Sequence, residues 1–541
     1  MSGSYSYPGL YVQEIASSSH AIVPAPTSIA AFIGYAHPYK TLNFGVAQQI
    51  FSFSDYETYF GGLFTSGLTD ASLPRAVYQF FLNGGSTAYV VGLQPGLFTQ
   101  TATSETTVHR LGAGGIAPTS SVISTAGGGG FKFTALVPID IVPISVAITN
   151  VRVSSSVFDI IVTYGTQVET YRGVTLPQSA GGKAPTDPNV MINGVSALVT
   201  IAPSSASGYG TALPATVPAI TWTDVSAEAA GFNTGFADAD FLPVFQANSS
   251  LDNVEIFNLL LIPGVVDNLV IGAALAFAER KRAFAIIDPP PQAPAFGAVS
   301  ATPAPIQAWM GSGVGAGGYT LPTSQNGALY FPYLNSTDPV TGDIVPMPPS
   351  GFVAGIYAAT DASRGVWKAP AGLATVVLNT TGPVLSGIMN DPQQGVLNLE
   401  SINCLRSFSG TGTVVWGART LVAANQAYQQ SMYVPVRRMT LFIEQTLLAN
   451  LRWVVFEPND DPLWTAIKAS IEAFLLSLFR QGGLQGSTPS DAFQVKCDST
   501  TTTPTDQANG IVNIVVAFAP LKPAEFVVIK IAQLAGQTAG S

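Results

Sequence analysis

The sequence predicts a mixed α/β, multidomain fold with a β-rich inserted domain, and three observations carry that prediction. Within 236–410, "EIFNLLLIPG", "NLVIGAALAFAERKR" and "AFAIIDPPP" alternate as strand, helix and strand, the order of a layered α/β sheet. Across 96–235 the composition shifts to Gly, Ser, Thr, Ala and Pro, and "VFDIIVTYGTQVETYRGV" alternates with period two, so that Phe158, Ile160, Val162 and Tyr164 share one face. Near the start, "YPGLYVQEI" is rich in aromatic and β-branched residues and reads as a strand. The polar run at 16–20 separates it from the next strand, so no hairpin partner lies within reach. A strand without a partner exposes a row of N–H and C=O groups and adds to another sheet.

The remaining elements follow in order. "TSIAAFIGYA" is a buried strand, and "SLPRAVYQFFLNGG" is a helix with Pro74 near its start, Ala76, Val77, Phe80 and Phe81 on one face, and Gly84 and Gly85 as its stop. "TAYVVGL" is the strand after it. Towards the C-terminus the clearest helix spans Asp461–Arg480, with Asp461 as cap, Pro462 at the first position, and a stripe of Leu463, Ile467, Ile471, Phe474, Leu475 and Leu478. Its polar positions, Lys468, Glu472 and Arg480, read most simply as a solvated face. The strands "AFQVKC", "GIVNIVVAFAP" and "AEFVVIKIAQL" close the chain.

With 541 residues the chain accommodates two to four domains. Only 10% of its residues are charged, against roughly 25% in ordinary soluble domains. Its clean apolar runs, such as 269–278, fall short of the ~18 residues a bilayer span needs. An apolar, weakly charged chain without a span implies surface buried in an assembly. The net charge of −10 argues against nucleic-acid binding. The opening "MSGSYSYPG" has neither a basic nor an apolar leader segment, so synthesis in the cytoplasm is expected. Cys404 and Cys497 are expected as buried free thiols.

Reactive constellations are scarce. His20, His37 and His109 have no Glu or Cys at metal-ligand spacing, and neither a phosphate-binding P-loop nor a G-x-S-x-G elbow occurs. Gly313, Gly315 and Gly318 satisfy G-x-G-x-x-G, but without the strand before and helix after that the motif needs, they read as a loop. Asp238 and Asp240 in "FADADF" form a short acidic turn sooner than a carboxylate pair. No catalytic residue, metal or cofactor is expected. Without a nucleotide site, any mechanical work must draw on energy stored in the folded or assembled state.

Taken jointly, "YPGLYVQEI", "TSIAAFIGYA", "LPRAVYQFFLNGGSTAYVV", "AERKRAFAIIDPP", "TDASRGVWKAPAG", "VVWGARTL", "YVPVRRMTLFIEQTLLANLRWVVFEPND" and "GIVNIVVAFAPLKPAEFVVIKI" resemble the contractile tail sheath family of bacteriophages, R-type bacteriocins and extracellular contractile injection systems. The resemblance implies an arm at 1–20, sheath-core segments at 21–95 and 236–410, the insert at 96–235 as an outer domain, a tube-proximal C-terminal domain at 411–519, and an arm at 520–541. It implies stacked hexameric rings around an inner tube protein, ended by baseplate and cap proteins, built in the bacterial cytoplasm and carried on a phage tail or extracellular particle. Neither nucleic acid nor direct membrane insertion is expected. Leu10, Tyr11, Val12, Gln13, Glu14 and Ile15 would be one strand donated to a neighbour, and Phe526, Val527, Val528, Ile529, Lys530 and Ile531 would supply or receive another. Joints at 16–20 and 520–523 would let rigid domains rotate, and Lys468, Glu472 and Arg480 are the candidate tube-facing residues. A non-contractile or adhesive particle protein and an α/β enzyme are the competing readings.

Overall fold

A computed structural model describes residues 21–66, 70–94, 120–124, 130–176, 184–205, 208–210, 212–222, 238–289, 323–385, 389–422, 426–526 and 528–530. The chain divides into a larger unit, 26–441 with 522–541, and a smaller one, 1–25 with 442–521.

The larger unit is built on an eight-stranded sheet in the order Gly412–Trp416, Ile402–Phe408, Gly327–Phe331, Phe284–Ile287, Leu259–Leu261, Ala30–Tyr35, Ala88–Leu93, Ala47–Ile50. The interior pairings are parallel, and the two outermost strands are antiparallel. Period-two geometry sends alternate residues to opposite faces. Ala30, Phe32, Leu259, Leu261, Phe284, Ile286 and Tyr330 enter one core, while Ala31, Ile33, Tyr35, Leu260, Ala285, Ile287 and Phe331 enter the other. Parallel strands covered on both faces have no solvent side, so their sequence reads as continuous apolar runs.

On the first face lie helices Ser72–Leu82 and Ser350–Arg364. They cross closely because Gly351 and Gly355 present no side chain there. A Cβ at Gly351 would stand 2.4 Å from the Ala76 carbonyl oxygen, and one at Gly355 would stand 2.5 Å from Asn83 Cβ. On the second face lies Asn268–Lys281, whose N-terminus is capped by the Asp267 carboxylate accepting from the Leu269 and Val270 amides at 2.8 and 2.9 Å.

The described part of the insert contains a four-stranded sheet (Val217–Trp222, Ile144–Arg152, Val157–Tyr164, Gln167–Thr175) and a three-stranded one (Ser120–Ser124, Gly130–Ala135, Val199–Pro203). Both contribute to one core containing Phe131, Phe133, Phe158, Ile160, Val162 and Tyr164. The alternation in "VFDIIVTYGTQVETYRGV" therefore located its buried face.

In the smaller unit, helix Asp461–Arg480 buries Leu463, Trp464, Ile467, Ile471, Phe474, Leu475 and Leu478, with Phe474 and Phe442 ring centroids 6.1 Å apart. Its capping corrects the sequence expectation. Asp460 occupies the cap position, Asp461 is the first helical residue, and no side chain bonds the helix start. Two strands, Phe493–Lys496 and Val515–Phe518, form an antiparallel pair. Gly412–Trp416 lies in the large sheet because it pairs with Ile402–Phe408 over its whole length; the expected C-terminal domain starting at 411 thus gives that strand to the larger unit, and the division falls inside helix Val434–Asn450.

Candidate functional site

In an open α/β sheet, ligands bind beyond the carboxyl ends of the strands. Here Asp288 and the Tyr35 hydroxyl are engaged internally, while His37 Nε2 is buried without a hydrogen-bond partner among the described residues. Asp288, just after Phe284–Ile287, accepts from the Gly264 amide (3.0 Å), the Ser350 amide (2.7 Å) and Ser350 Oγ (2.6 Å). Burial raises its carboxyl to about 6 against the pull of those bonds. Tyr35 donates its hydroxyl to Asp240 at 2.8 Å, so Asp240 serves the packing of the helical turn Asp238–Phe241. His37 is buried and accepts from the Tyr39 amide at 3.2 Å; burial drives its pKa well down. His20, His109 and the Gly313, Gly315, Gly318 motif lie outside the described residues. Among the described residues no group of three or more His, Cys, Asp and Glu side chains could hold a metal ion. Cys404 and Cys497 are buried free thiols.

The unusual features lie at residues 526 and 528–530 and in the smaller unit. Phe493–Lys496 and Val515–Phe518 ladder with each other and with no further strand among the described residues, and Val515 is exposed. A two-stranded sheet of this length is marginal by itself. Leu10, Tyr11, Val12, Gln13, Glu14 and Ile15 lie outside the described residues, as do Val527 and Ile531. Phe526, Val528 and Ile529 are 75%, 79% and 79% exposed, and Lys530 is exposed beside them. Three large apolar side chains in solvent within four positions, with no ladder to the rest of the described chain, form an unpartnered surface.

Described residues next to the two expected arms are held by side-chain clamps that sequence reasoning missed. In the smaller unit Asn450 grips the backbone of Val23 from both sides. Its Oδ1 accepts from the Val23 amide at 2.9 Å and its Nδ2 donates to the Val23 carbonyl at 2.8 Å. The Ala25 amide donates to Thr446 Oγ1 at 3.0 Å. In the larger unit the Glu525 carboxylate is bound by Arg419, Tyr433 and Asn398. Burial pushes this carboxyl up, but the bonds from Arg419, Asn398 and Tyr433 outweigh that and hold it below the ordinary value of 4.5. Stability from the clamp is therefore fully present above that value and is lost as pH falls through the lower folded one.

Of the candidate tube-facing residues, Lys468 and Glu472 pair at 3.9 Å with side chains 42% and 44% exposed, and Arg480 is exposed in the last turn. The helix carrying them is long and apolar enough, by length and composition, to cross a membrane, yet its apolar stripe faces the interior of its own unit.

These features define a multidomain α/β protein whose distinctive described features are the exposed apolar residues Phe526, Val528 and Ile529 and a two-stranded sheet in the smaller unit. The chain belongs to the phage tail sheath family: residues 246–421 match the family's central domain and residues 427–533 its C-terminal domain, together more than half of the chain. It is 29% identical to the tail sheath protein of Burkholderia phage BcepMu over 198 residues, 35% of this chain and 41% of that one. It is 25% identical to the tail sheath protein of Vibrio phage KVP40 over 154 residues, 28% of this chain and 22% of that one. The matches thus span less than half of the length of these relatives. In fold it resembles the helical sheath of the anti-feeding prophage in its contracted state, with TM-score 0.54 and 21% identity over 98% of this chain and 100% of that one. It also resembles a sheath tail protein from Desulfitobacterium hafniense, with TM-score 0.51 and 12% identity over 95% and 100% of the two chains.

Proposed function

We propose that this chain is the structural subunit of a contractile sheath that polymerises around an inner tube and shortens from a metastable extended state to drive the tube through a target envelope. The observation that carries the reading is the open two-stranded sheet of the smaller unit, in a chain whose apolar residues Phe526, Val528 and Ile529 stand in solvent. Strands contributed by neighbouring copies, Leu10–Ile15 from one arm and 526–531 from the other, would complete such sheets. About five backbone hydrogen bonds at roughly 1 kcal/mol net each make one link worth several kcal/mol before ordering costs. Links of this size persist while weaker lateral contacts exchange, as a two-state lattice requires. Stacked hexameric rings, a tube protein inside, and baseplate and cap proteins at the ends complete the particle, which is assembled in the bacterial cytoplasm and carried on a phage tail or extracellular injection particle. The role proposed is mechanical.

Electron microscopy of the polymerised protein tests this. Tubes of two discrete lengths for the same number of rings are the expected result. Tubes of one fixed length would favour the non-contractile particle protein, and a chain that stays monomeric at every concentration would exclude both.

Lys468, Glu472 and Arg480 remain the proposed tube contacts. Reversing all three charges is expected to weaken co-sedimentation with the tube protein about tenfold while moving stability by ~0.5 kcal/mol or less, since exposed pairs contribute little to folding. Unchanged co-sedimentation would remove this face from consideration.

A further inference from the structure

Glu525 stands one residue before the exposed apolar run, and its environment is built. Arg419 donates from Nε to Oε1 at 2.9 Å and from Nη2 to Oε2 at 2.7 Å. The Tyr433 hydroxyl donates to Oε2 at 2.9 Å, and Asn398 Nδ2 donates to Oε1 at 2.5 Å. The floor of the clamp is itself fixed. Arg419 Nη1 donates to the Asn398 carbonyl at 3.0 Å. The Asn403 amide accepts from the Arg419 amide at 2.7 Å and donates to the Arg419 carbonyl at 2.8 Å. The guanidinium side chain is 8% exposed and Glu525 20%. A bidentate, charge-assisted pair with two further donors fixes direction as well as position.

This fixity contrasts with the sequence around it. Pro520 and Pro523 were the expected joint, whereas the bound residue lies beyond them, so in the single chain the arm departs from Glu525. The 16 residues after it can span at most ~55 Å when extended. A tether of that reach, if rooted loosely, samples many surfaces; rooted at one point and in one direction, it raises the effective concentration of its strand at one acceptor.

We propose that Glu525 and Arg419 are positioning residues of strand donation: their clamp sets where the C-terminal arm leaves its own subunit and so which neighbouring copy receives it. This rests on the sheath reading above. Three full-length variants and one truncation test it, read by the critical concentration for polymerisation and by tube diameter under the electron microscope. Glu525→Ala is expected to raise the critical concentration about tenfold and to broaden the diameter distribution. Arg419→Lys, which keeps the charge and loses the fork, is expected to fall between it and the parent chain. Tyr433→Phe removes a single bond and is expected to shift the critical concentration about threefold. A chain ending at Glu525 is expected to form no tubes. Normal tubes from that truncation would overturn the donated-strand reading. Tube loss in the truncation together with parental behaviour of Glu525→Ala and Arg419→Lys would overturn the clamp alone. Melting temperatures of all four chains identify any loss that comes from misfolding; a Glu525→Ala chain that melts early shifts the decision to Tyr433→Phe, where parental behaviour overturns the clamp.

Discussion

Asp361→Ala is expected to cost the larger unit about 3–5 kcal/mol, the penalty for leaving one member of a buried ion pair uncompensated. Asp361 lies in the last turn of Ser350–Arg364, and Arg438 lies in the first turns of Val434–Asn450. Both side chains are 3% exposed, and the pair is bidentate, with Nη1 to Oδ1 at 2.8 Å and Nη2 to Oδ2 at 2.5 Å. Arg438 Nη2 also donates to the Thr27 carbonyl at 2.9 Å, and its guanidinium lies 4.7 Å from the Tyr357 ring centroid. Tyr357 shares a 2.6 Å hydroxyl contact with Tyr330 on the central sheet. With Asp361 gone, the cation would keep one carbonyl and an aromatic face inside a dry core. Burial pulls its pKa down and the Asp361 charge pulls it up, the latter with help enough to leave it raised, so removing the carboxylate takes away the first-named opposition to the desolvation cost. Against a total of ~5–15 kcal/mol for a typical domain, chemical denaturation should show a large drop in midpoint at unchanged slope. The double replacement Asp361→Leu with Arg438→Met is expected to recover most of the loss, because no charge is then buried. A loss under ~1 kcal/mol for Asp361→Ala would mean that water reaches the pair and that it behaves as a surface contact.

Such pairs mark the limit of what the sequence discloses. The large sheet was legible because each strand repeats a local rule: "TSIAAFIGYA" and "AFAIIDPPP" are continuous apolar runs, as strands covered on both faces must be. "VFDIIVTYGTQVETYRGV" alternates because its sheet has one covered face. The stripe on Asp461–Arg480 repeats at helical spacing, and every residue assigned to it is buried. Asp361 and Arg438, or Arg419 and Glu525, obey no local rule. They are 77 and 106 positions apart, and only the assembled fold brings them into contact. Trp464 was left off the helix stripe although it is buried; its Nε1 donates to Asn459 Oδ1 at 2.8 Å just before the helix, a partner that periodicity does not reveal. The strand pattern in "YPGLYVQEI", without a turn or partner nearby, is the opposite signal, and it lies outside the described residues.

The proposed donation of that strand makes the second large prediction. A chain lacking residues 1–15 is expected to remain folded and to form no tubes at concentrations where the full chain polymerises completely. Folding should survive because the truncation keeps Val23 and Ala25, which Asn450 and Thr446 hold in the smaller unit. Polymerisation should fail because each subunit in a lattice both gives and receives, so that removing one strand per chain removes one link for every subunit. At several kcal/mol per link, and with 1.4 kcal/mol equal to a factor of ten in an equilibrium constant, the equilibrium for adding a subunit falls by two to three orders of magnitude, roughly. Sedimentation across a concentration series, with electron microscopy of the pellets, measures this directly. A synthetic peptide covering residues 4–17 supplied in trans should protect the amides of 493–496 and 515–518 from exchange in the truncated chain, because it restores the missing strand without restoring the tether. Protection without tubes would separate the two contributions, the strand that finishes the sheet and the covalent link that makes the finished sheet hold two subunits together; full-length tubes from the truncated chain alone would leave the arm without the role proposed for it.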